Sequence, residues 1–122
     1  MKRKLQITVI GDSAEIETNN KIAYEAGKII AKNGWVLING GREGVMRESS
    51  RGAYENGGTV VSILPDEKMD GGHNFASIVI ASGIGYARNS MNVLSGDIVL
   101  SIGGASGALS EIAFAWAYDK PI

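Results

Sequence analysis

Short apolar segments alternate with helical patterns along this 122-residue chain, and glycine marks most of the boundaries between them. The apolar segments predict strands at 5–10, 35–39, 59–64, 77–82 and 97–102. Helical spacing predicts helices at 18–33, with Thr18 as cap, and at 45–56, 88–94 and 108–118. Because each connection is long enough for a helix, the pattern indicates the α/β class. We expect a Rossmann-like, doubly wound, mainly parallel sheet with helices on both faces.

Length, charge and residue types narrow the function. The length predicts a single nucleotide-binding domain over residues 1–122. A formal net charge of -1 argues against binding nucleic acid through charge, so we expect no nucleic acid partner. The chain has no cysteine and a single histidine, His73, and we expect no metal site. No apolar segment approaches the ~18 residues of a membrane span, so we expect a cytoplasmic protein without a membrane partner.

Glycine is abundant, at 17 of 122 residues, and part of this excess forms one motif twice. GGREGVMRE covers 40–48 and GGASGALSE covers 103–111, so both read GGxxGxxxE between a strand and a helix. Such a turn brings backbone N–H groups of the helix N-terminus close to an anion, although glycine also serves simple tight turns. The remaining glycines mostly fall at predicted helix ends and loops. The predicted phosphate-binding residues are Gly40, Gly41, Gly44, Val45, Met46, Gly103, Gly104, Ser106, Gly107 and Ala108.

Other motifs that bind nucleotides do not fit. Neither turn has the lysine and hydroxyl of a P-loop. The first strand is followed by Gly11, Asp12 and Ser13 instead of GxGxxG, which disfavours ordinary NAD binding. Because ligands of doubly wound sheets bind beyond the carboxyl ends of the strands, we also place Gly11, Asp12 and Ser13 in the ligand site.

Charged residues near these turns are the catalytic candidates. Arg88 follows a predicted strand and suits a phosphate, with a surface ion pair as the alternative. Glu111 ends the second motif and either caps its helix or faces the cleft as a base. Glu48 has the same two interpretations on a more solvated helix. His73 lies in a polar loop, where a solvated role is the simpler interpretation.

The segments NGGREGVM, GTVVSILPDE, GYARNSMNV and GGASGALSEIAFAWAYDKPI, in this order, resemble the Lonely Guy and lysine-decarboxylase-like (SLOG) superfamily. They look most like its molybdenum cofactor carrier branch, whose members bind a phosphorylated pterin. The resemblance implies the molybdenum cofactor as a carried ligand and a homo-oligomer, a dimer or larger. It also implies a further strand and helix after 120–122, so we expect the sheet to lack this last strand and helix.

Lonely Guy phosphoribohydrolases use an arginine, a glutamate and a PGGxGTxxE loop to cleave the N-glycosidic bond of nucleoside 5′-monophosphates. The resemblance places Arg88 and Glu111 at these two catalytic positions. Gly103, Ala105 and Ala108 depart from the loop's proline, second glycine and threonine. The lost threonine hydroxyl argues against efficient hydrolysis.

These observations leave three hypotheses. The first is a binding protein for a phosphorylated nucleotide-like or pterin-like ligand. Its phosphate would lie between the helix N-termini at Gly44 and Gly107, with Arg88 as counter-charge. Its ring would lie near 11–13 and the turn 83–86. The second is a phosphoribohydrolase with Arg88 and Glu111 as catalytic residues, and the third is a structural subunit that binds no phosphorylated ligand.

Overall fold

A computed structural model describes residues 2–122; residue 1 of the predicted domain lies outside the described residues. The strands are β1 (Gln6–Gly11), β2 (Val36–Asn39), β3 (Thr59–Leu64), β4 (Ile78–Ala81) and β5 (Ile98–Ile102). The helices are α1 (Glu17–Lys32), α2 (Val45–Glu55), α3 (Arg88–Ser95) and α4 (Ser106–Ala117). Short 3-10 turns occur at Met69–Gly71 and Gly85–Ala87. No helix within residues 2–122 is long and apolar enough to cross a membrane.

The sheet is parallel throughout, with strand order β4-β3-β2-β1-β5. Strands β1 to β4 follow one another across the sheet in sequence order. Strand β5 pairs with the other side of β1, where Gly11 is the partner of Ile102. The strand order therefore reverses between β1 and β5. The predicted Rossmann-like, doubly wound α/β class is confirmed.

Each face of the sheet has its own core. On one face α1 and α2 cover β1, β2 and β3, with Val9, Leu37 and Val60 almost fully buried. On the other face α3 and α4 cover a smaller core that includes Ile10 and Val99. The neighbouring residues of β1 are thus buried on opposite sides, as expected for a central parallel strand.

Two local expectations were wrong. Thr18 does not cap α1, because the helix begins at Glu17, Ile16 occupies the cap position, and no side chain bonds the cap. Helix α4 begins at Ser106, two residues before the predicted start. The second difference matters for the site, because it brings the N-terminus of α4 directly against the second glycine turn.

Candidate functional site

A cavity of about 380 Å³ lies at the carboxyl ends of β1 and β2, beside the point where strand order reverses. It is bounded by the loop after β1, the first glycine turn, the start of α3 and the start of α4. The predicted site residues on its wall are Gly11, Asp12, Ser13, Gly40, Met46, Arg88, Ser106, Gly107, Ala108 and Glu111. The predicted site residues that are not on its wall are Gly41, Gly44, Val45, Gly103 and Gly104.

Two amides at the start of α2 already donate to groups of the protein itself. The Val45 amide donates to the Asp12 carbonyl oxygen at 3.0 Å, and the Gly44 amide donates to Glu15 Oε1 at 3.3 Å. The Val45 side chain is fully buried in the core. The Glu15 carboxylate therefore accepts the Gly44 amide, a group that the sequence predicted for binding a ligand anion.

The N-terminus of α4 is free. Its first helical hydrogen bond runs from the Leu109 amide to the Ala105 carbonyl oxygen at 2.9 Å, and no side chain caps it. The amides of Ser106, Gly107 and Ala108 therefore have no acceptor within residues 2–122, as is usual in the first turn of a helix. All three residues line the cavity, so the positive end of the helix dipole lies at its wall.

Arg88 is a buried cation rather than part of a surface ion pair. It begins α3, is 7% exposed and forms no ion pair within the described part of the chain. Its Nη2 donates to the Gly40 carbonyl oxygen at 3.2 Å and its Nη1 donates to Asn89 Oδ1, but its buried Nε has no partner. Burial lowers the pKa of Arg88, which still carries its charge because guanidinium does not deprotonate in proteins.

Gly40 allows this close approach of the guanidinium. A Cβ atom at Gly40 would lie 2.7 Å from Arg88 Nη2 and 3.1 Å from Met46 Sδ. A larger residue would displace Arg88 from the cavity wall. The first glycine turn thus serves the site by holding Arg88, while the second supplies the free amides.

Glu111 faces the same cavity and does not cap α4. It is 8% exposed, and its Oε2 accepts a hydrogen bond from Asn92 Nδ2 at 3.3 Å. Burial raises the pKa of Glu111 to about 7, although the bond from Asn92 and the charge of Arg88 oppose the shift. The carboxyl group is therefore partly protonated near neutral pH, a state suited to proton transfer.

The matching glutamate of the first motif is a different kind of group. Glu48 accepts hydrogen bonds from Arg51 Nη2 at 2.8 Å and from Arg47 Nε at 3.2 Å. These guanidinium groups hold the pKa of Glu48 below its usual value. Glu48 is therefore ionised at neutral pH in an ion-pair network on α2, outside the cavity, whereas Glu111 lies in the cavity wall.

The rim of the cavity includes residues from two loops. Arg42 donates from Nη2 to Asp66 Oδ1 at 2.9 Å and from Nη1 to the Gly71 carbonyl oxygen at 2.6 Å, which ties the polar loop to the first glycine turn. On the other side Tyr86 is 85% exposed and borders the cavity together with Pro65. An aromatic ring is thus presented to solvent at the mouth.

His73 contacts the first glycine turn, because its amide donates to the Gly41 carbonyl oxygen at 3.2 Å. Its Nδ1 accepts a hydrogen bond from the Phe75 amide at 3.1 Å, and its Nε2 lies 3.4 Å from Ser62 Oγ. Ser62 donates to Asn39 Oδ1, which also accepts the Gly41 amide at 2.9 Å. Burial lowers the pKa of His73, so it is a neutral structural residue rather than a solvated one.

Sequence reasoning missed Asn92, which lines the cavity and is 1% exposed. Asn92 lies four residues after Arg88 on α3, and this spacing places both side chains on one face of a helix. The spacing was the signal that could have identified it.

Comparisons with known proteins agree with this architecture. An uncharacterised protein of Archaeoglobus fulgidus is 50% identical over 118 residues, which cover 97% of this chain and 78% of that protein. The molybdenum cofactor binding protein of Rippkaea orientalis has a TM-score of 0.96 and 41% identity, covering 99% of this chain and 76% of that one. The molybdenum cofactor carrier protein of Chlamydomonas reinhardtii has a TM-score of 0.90 and 38% identity, covering 98% and 74%. The model of the SLOG cluster4 family matches residues 4–122, and the chain belongs to this family.

Proposed function

We propose that this protein binds a phosphorylated small molecule of the pterin or nucleotide type in the cavity, and that the molybdenum cofactor is the ligand it carries. The observation that carries the proposal is the free N-terminus of α4 beside a buried, unpaired Arg88. Both features favour an anionic group on the ligand.

The phosphate would bind at Ser106, Gly107 and Ala108. Their amides have no acceptor within residues 2–122, all three residues line the cavity, and the helix dipole favours a negative charge there. Arg88 would supply the counter-charge from the cavity wall, because its buried positive charge has no ion-pair partner within the described residues. We place the phosphate at α4 rather than at α2, because Glu15 and Asp12 already accept the Gly44 and Val45 amides.

The ring would occupy the rest of the cavity. A volume of about 380 Å³ is within the usual range for small-molecule sites of roughly 300–1,000 Å³. Gly11, Asp12 and Ser13 border one side, and Met46, Pro65 and Tyr86 supply apolar and aromatic surface. Flat heterocycles bind well between such groups.

The choice of the molybdenum cofactor rests on similarity. The relatives from Rippkaea orientalis and Chlamydomonas reinhardtii are a molybdenum cofactor binding protein and a molybdenum cofactor carrier protein, at 41% and 38% identity. The molybdenum cofactor combines a pterin-type ring with a phosphate, the two parts that the cavity would hold. Unpartnered Arg88 Nε and Asn92 Oδ1 offer polar contacts for the ring system.

A matched pair of proline variants tests the phosphate site. Ser106→Pro removes one free amide at the first residue of α4, where proline fits a helix and the preceding Ala105 is extended. We expect Ser106→Pro to weaken binding of molybdopterin and of AMP about tenfold, because a hydrogen bond to a charged group contributes roughly 1.5–3 kcal/mol. Isothermal titration calorimetry measures the change.

Glu17→Pro is the control, because Glu17 is the first residue of α1, follows the extended Ile16 and lies outside the cavity. We expect Glu17→Pro to bind within twofold of the original protein. Equal affinity in both variants would exclude α4 as the phosphate site, and no thermal stabilisation by molybdopterin, AMP or phosphate would refute the proposed function.

Hydrolysis is the second candidate function, favoured by one observation. Arg88 and Glu111 face the same cavity, and the pKa of Glu111 near 7 suits a general acid or base at neutral pH. Hydrolysis of AMP would add water to the ribose C1′–N bond and release adenine and ribose 5-phosphate. Turnover of AMP that disappears in Glu111→Ala would favour the hydrolase. Binding of AMP without release of adenine would favour the binding protein over the hydrolase.

A further inference from the structure

The floor of the cavity is built by Arg88 and Asn92 of α3 and by Glu111 of α4. All three side chains are at least nine-tenths buried. Two of the buried side-chain atoms without a hydrogen-bond partner in residues 2–122 are here, namely Arg88 Nε and Asn92 Oδ1. A buried polar atom without a partner costs about 1–3 kcal/mol, so a ligand group that pairs with these two atoms would recover this cost.

The arrangement fixes what each atom offers. Asn92 Nδ2 donates to Glu111 Oε2 at 3.3 Å, which leaves Asn92 Oδ1 as a free acceptor. The hydrogen bond from Asn92 reaches only Oε2 of Glu111, which leaves Oε1 as an acceptor, and Arg88 Nε is a donor without a partner. Arg88 and Glu111 form no ion pair in the described chain, although both border the cavity. A ligand group that pairs with these atoms would donate at least two hydrogens and accept one.

We propose that Arg88, Asn92 and Glu111 form a subsite for an amino-lactam edge, a ring edge with an amino group, a ring N–H and a carbonyl oxygen side by side. Glu111 accepts from the ring N–H and the amino group, Asn92 Oδ1 accepts the second amino hydrogen, and Arg88 Nε donates to the carbonyl oxygen. The inference rests on the proposed function, because the same cavity must hold the phosphorylated ligand. Guanine and pterins both carry this edge.

The walls above the floor favour a ring over a sugar diol. Val9, Met46 and Pro65 border the cavity with apolar groups, and the ring of Tyr86 lies at the mouth. Such surfaces stabilise the faces of a heterocycle, whereas the hydroxyl groups of a ribose need polar neighbours on several sides.

Three nucleotides with the same ribose 5′-phosphate test the subsite, because they differ only in the base. GMP has the full edge, IMP lacks the amino group, and AMP lacks the lactam. We expect GMP to bind at least tenfold more tightly than IMP and AMP by calorimetry at pH 8, where Glu111 is ionised. Equal affinity of GMP and IMP, or tighter binding of AMP, would overturn the inference.

Two variants assign the preference to the floor. In Glu111→Gln, an amide NH2 replaces one acceptor oxygen, and we expect the preference for GMP over IMP to fall below twofold. Glu25→Gln changes an exposed carboxylate of α1 outside the cavity and is expected to keep the tenfold preference. A preference that survives Glu111→Gln would also overturn the inference.

A competition experiment with a pterin tests whether pterins and guanine bind through the same edge. Dihydroneopterin monophosphate carries the edge and a phosphate, and we expect it to compete with GMP for one site. Independent binding of the two would overturn the inference. If all three nucleotides bind equally, only the subsite fails, and the proposed phosphate site survives. If no phosphorylated compound binds, the proposed function fails as well.

Discussion

Glu111 and Arg88 are opposite charges that the fold keeps buried but apart. Arg88 is held by Gly40 and Asn89 on one side of the cavity, and Glu111 is held by Asn92 on another. Each charge lost its water on folding without gaining an ionic partner, which costs free energy. The cost is consistent with a site organised for a ligand rather than for stability.

The pH dependence of Glu111 follows from this cost. Its pKa rises from 4.5 to about 7 in the folded protein, so its ionisation opposes folding as the pH rises from 4.5 to 7. The penalty at pH 8 is about 3 kcal/mol, at roughly 1.4 kcal/mol for each tenfold change in the ionisation constant. We expect Glu111→Gln to gain stability relative to the original protein as the pH rises. Urea unfolding should find this gain to be larger at pH 8 than at pH 5 by about 2–3 kcal/mol.

Glu48→Gln is the control with the opposite sign. Arg51 and Arg47 lower the pKa of Glu48, so its ionised form stabilises the fold above its ordinary pKa, and this stabilisation is lost as the pH falls. We expect Glu48→Gln to reduce the free energy of unfolding at pH 8. A Glu111→Gln variant whose stability relative to the original does not change with pH would contradict the burial of an ionisable Glu111.

At this scale the sequence predicted the charged residues better than their neighbours. Arg88 and Glu111 stand at motif positions, so their chemistry could be inferred and the structure brings both to one cavity. The prediction for Gly44 failed to foresee Glu15, because a carboxylate reaching back from the loop after β1 leaves no pattern in the sequence. Asn92 was missed because asparagine on a helix is ordinarily a surface residue.

Helices α1 and α2 cross at very close range, and a glycine of each makes this possible. A Cβ atom at Gly27 would lie 1.9 Å from the Ser49 carbonyl oxygen, and one at Gly52 would lie 2.1 Å from the Tyr24 carbonyl oxygen. The sequence assigned most glycines outside the two motifs to turns and helix ends, and Gly27 and Gly52 are exceptions in the middle of helices.

We expect Gly27→Ala to lower the free energy of unfolding by about 1–3 kcal/mol, because the added methyl forces the two helices apart. The expected gain in helix propensity of roughly 1 kcal/mol does not offset this overlap. Gly107→Ala is the matched control, since a Cβ atom there meets nothing within 4 Å. Urea unfolding that finds Gly27→Ala as stable as Gly107→Ala would contradict the close helix crossing.

The elements themselves were largely predictable. The predicted strand at 59–64 matches β3, and the ends of the other strands differ by at most one residue. These segments are apolar runs bounded by glycine or proline, so local sequence determines them. The start of α4 was misplaced because Ala105 and Ser106 carry no strong cap signal, and backbone conformation decides where that helix begins.

At the scale of the whole molecule, strand order creates the site. The order β4-β3-β2-β1-β5 brings the turns after β1, β2 and β5 to one edge, although they are far apart in sequence. Alternating strands and helices predicted a doubly wound sheet, but not this order, because order depends on which strands pair across long connections. The convergence of Gly40, Arg88 and Gly107 on one cavity is a consequence of that pairing.

The remaining molecular prediction concerns assembly. The sequence predicts a homo-oligomer, and this stays a prediction. Leu109 is 68% exposed and Trp116 is 81% exposed. They lie seven residues apart on one face of α4. Exposed apolar groups of this size are typical of surfaces that associate.

Pro121 lies beside the β5 edge, where its carbonyl oxygen accepts the Val99 amide at 2.8 Å.

A crystal structure of the protein with bound AMP tests the central claim most directly, because it locates the phosphate. We predict phosphate oxygens within hydrogen-bond distance of the amides of Ser106, Gly107 and Ala108, with the guanidinium of Arg88 facing the ligand. The Gly44 amide should still donate to Glu15. A phosphate bound at Gly44 with Glu15 displaced, or bound outside the cavity, would contradict the account.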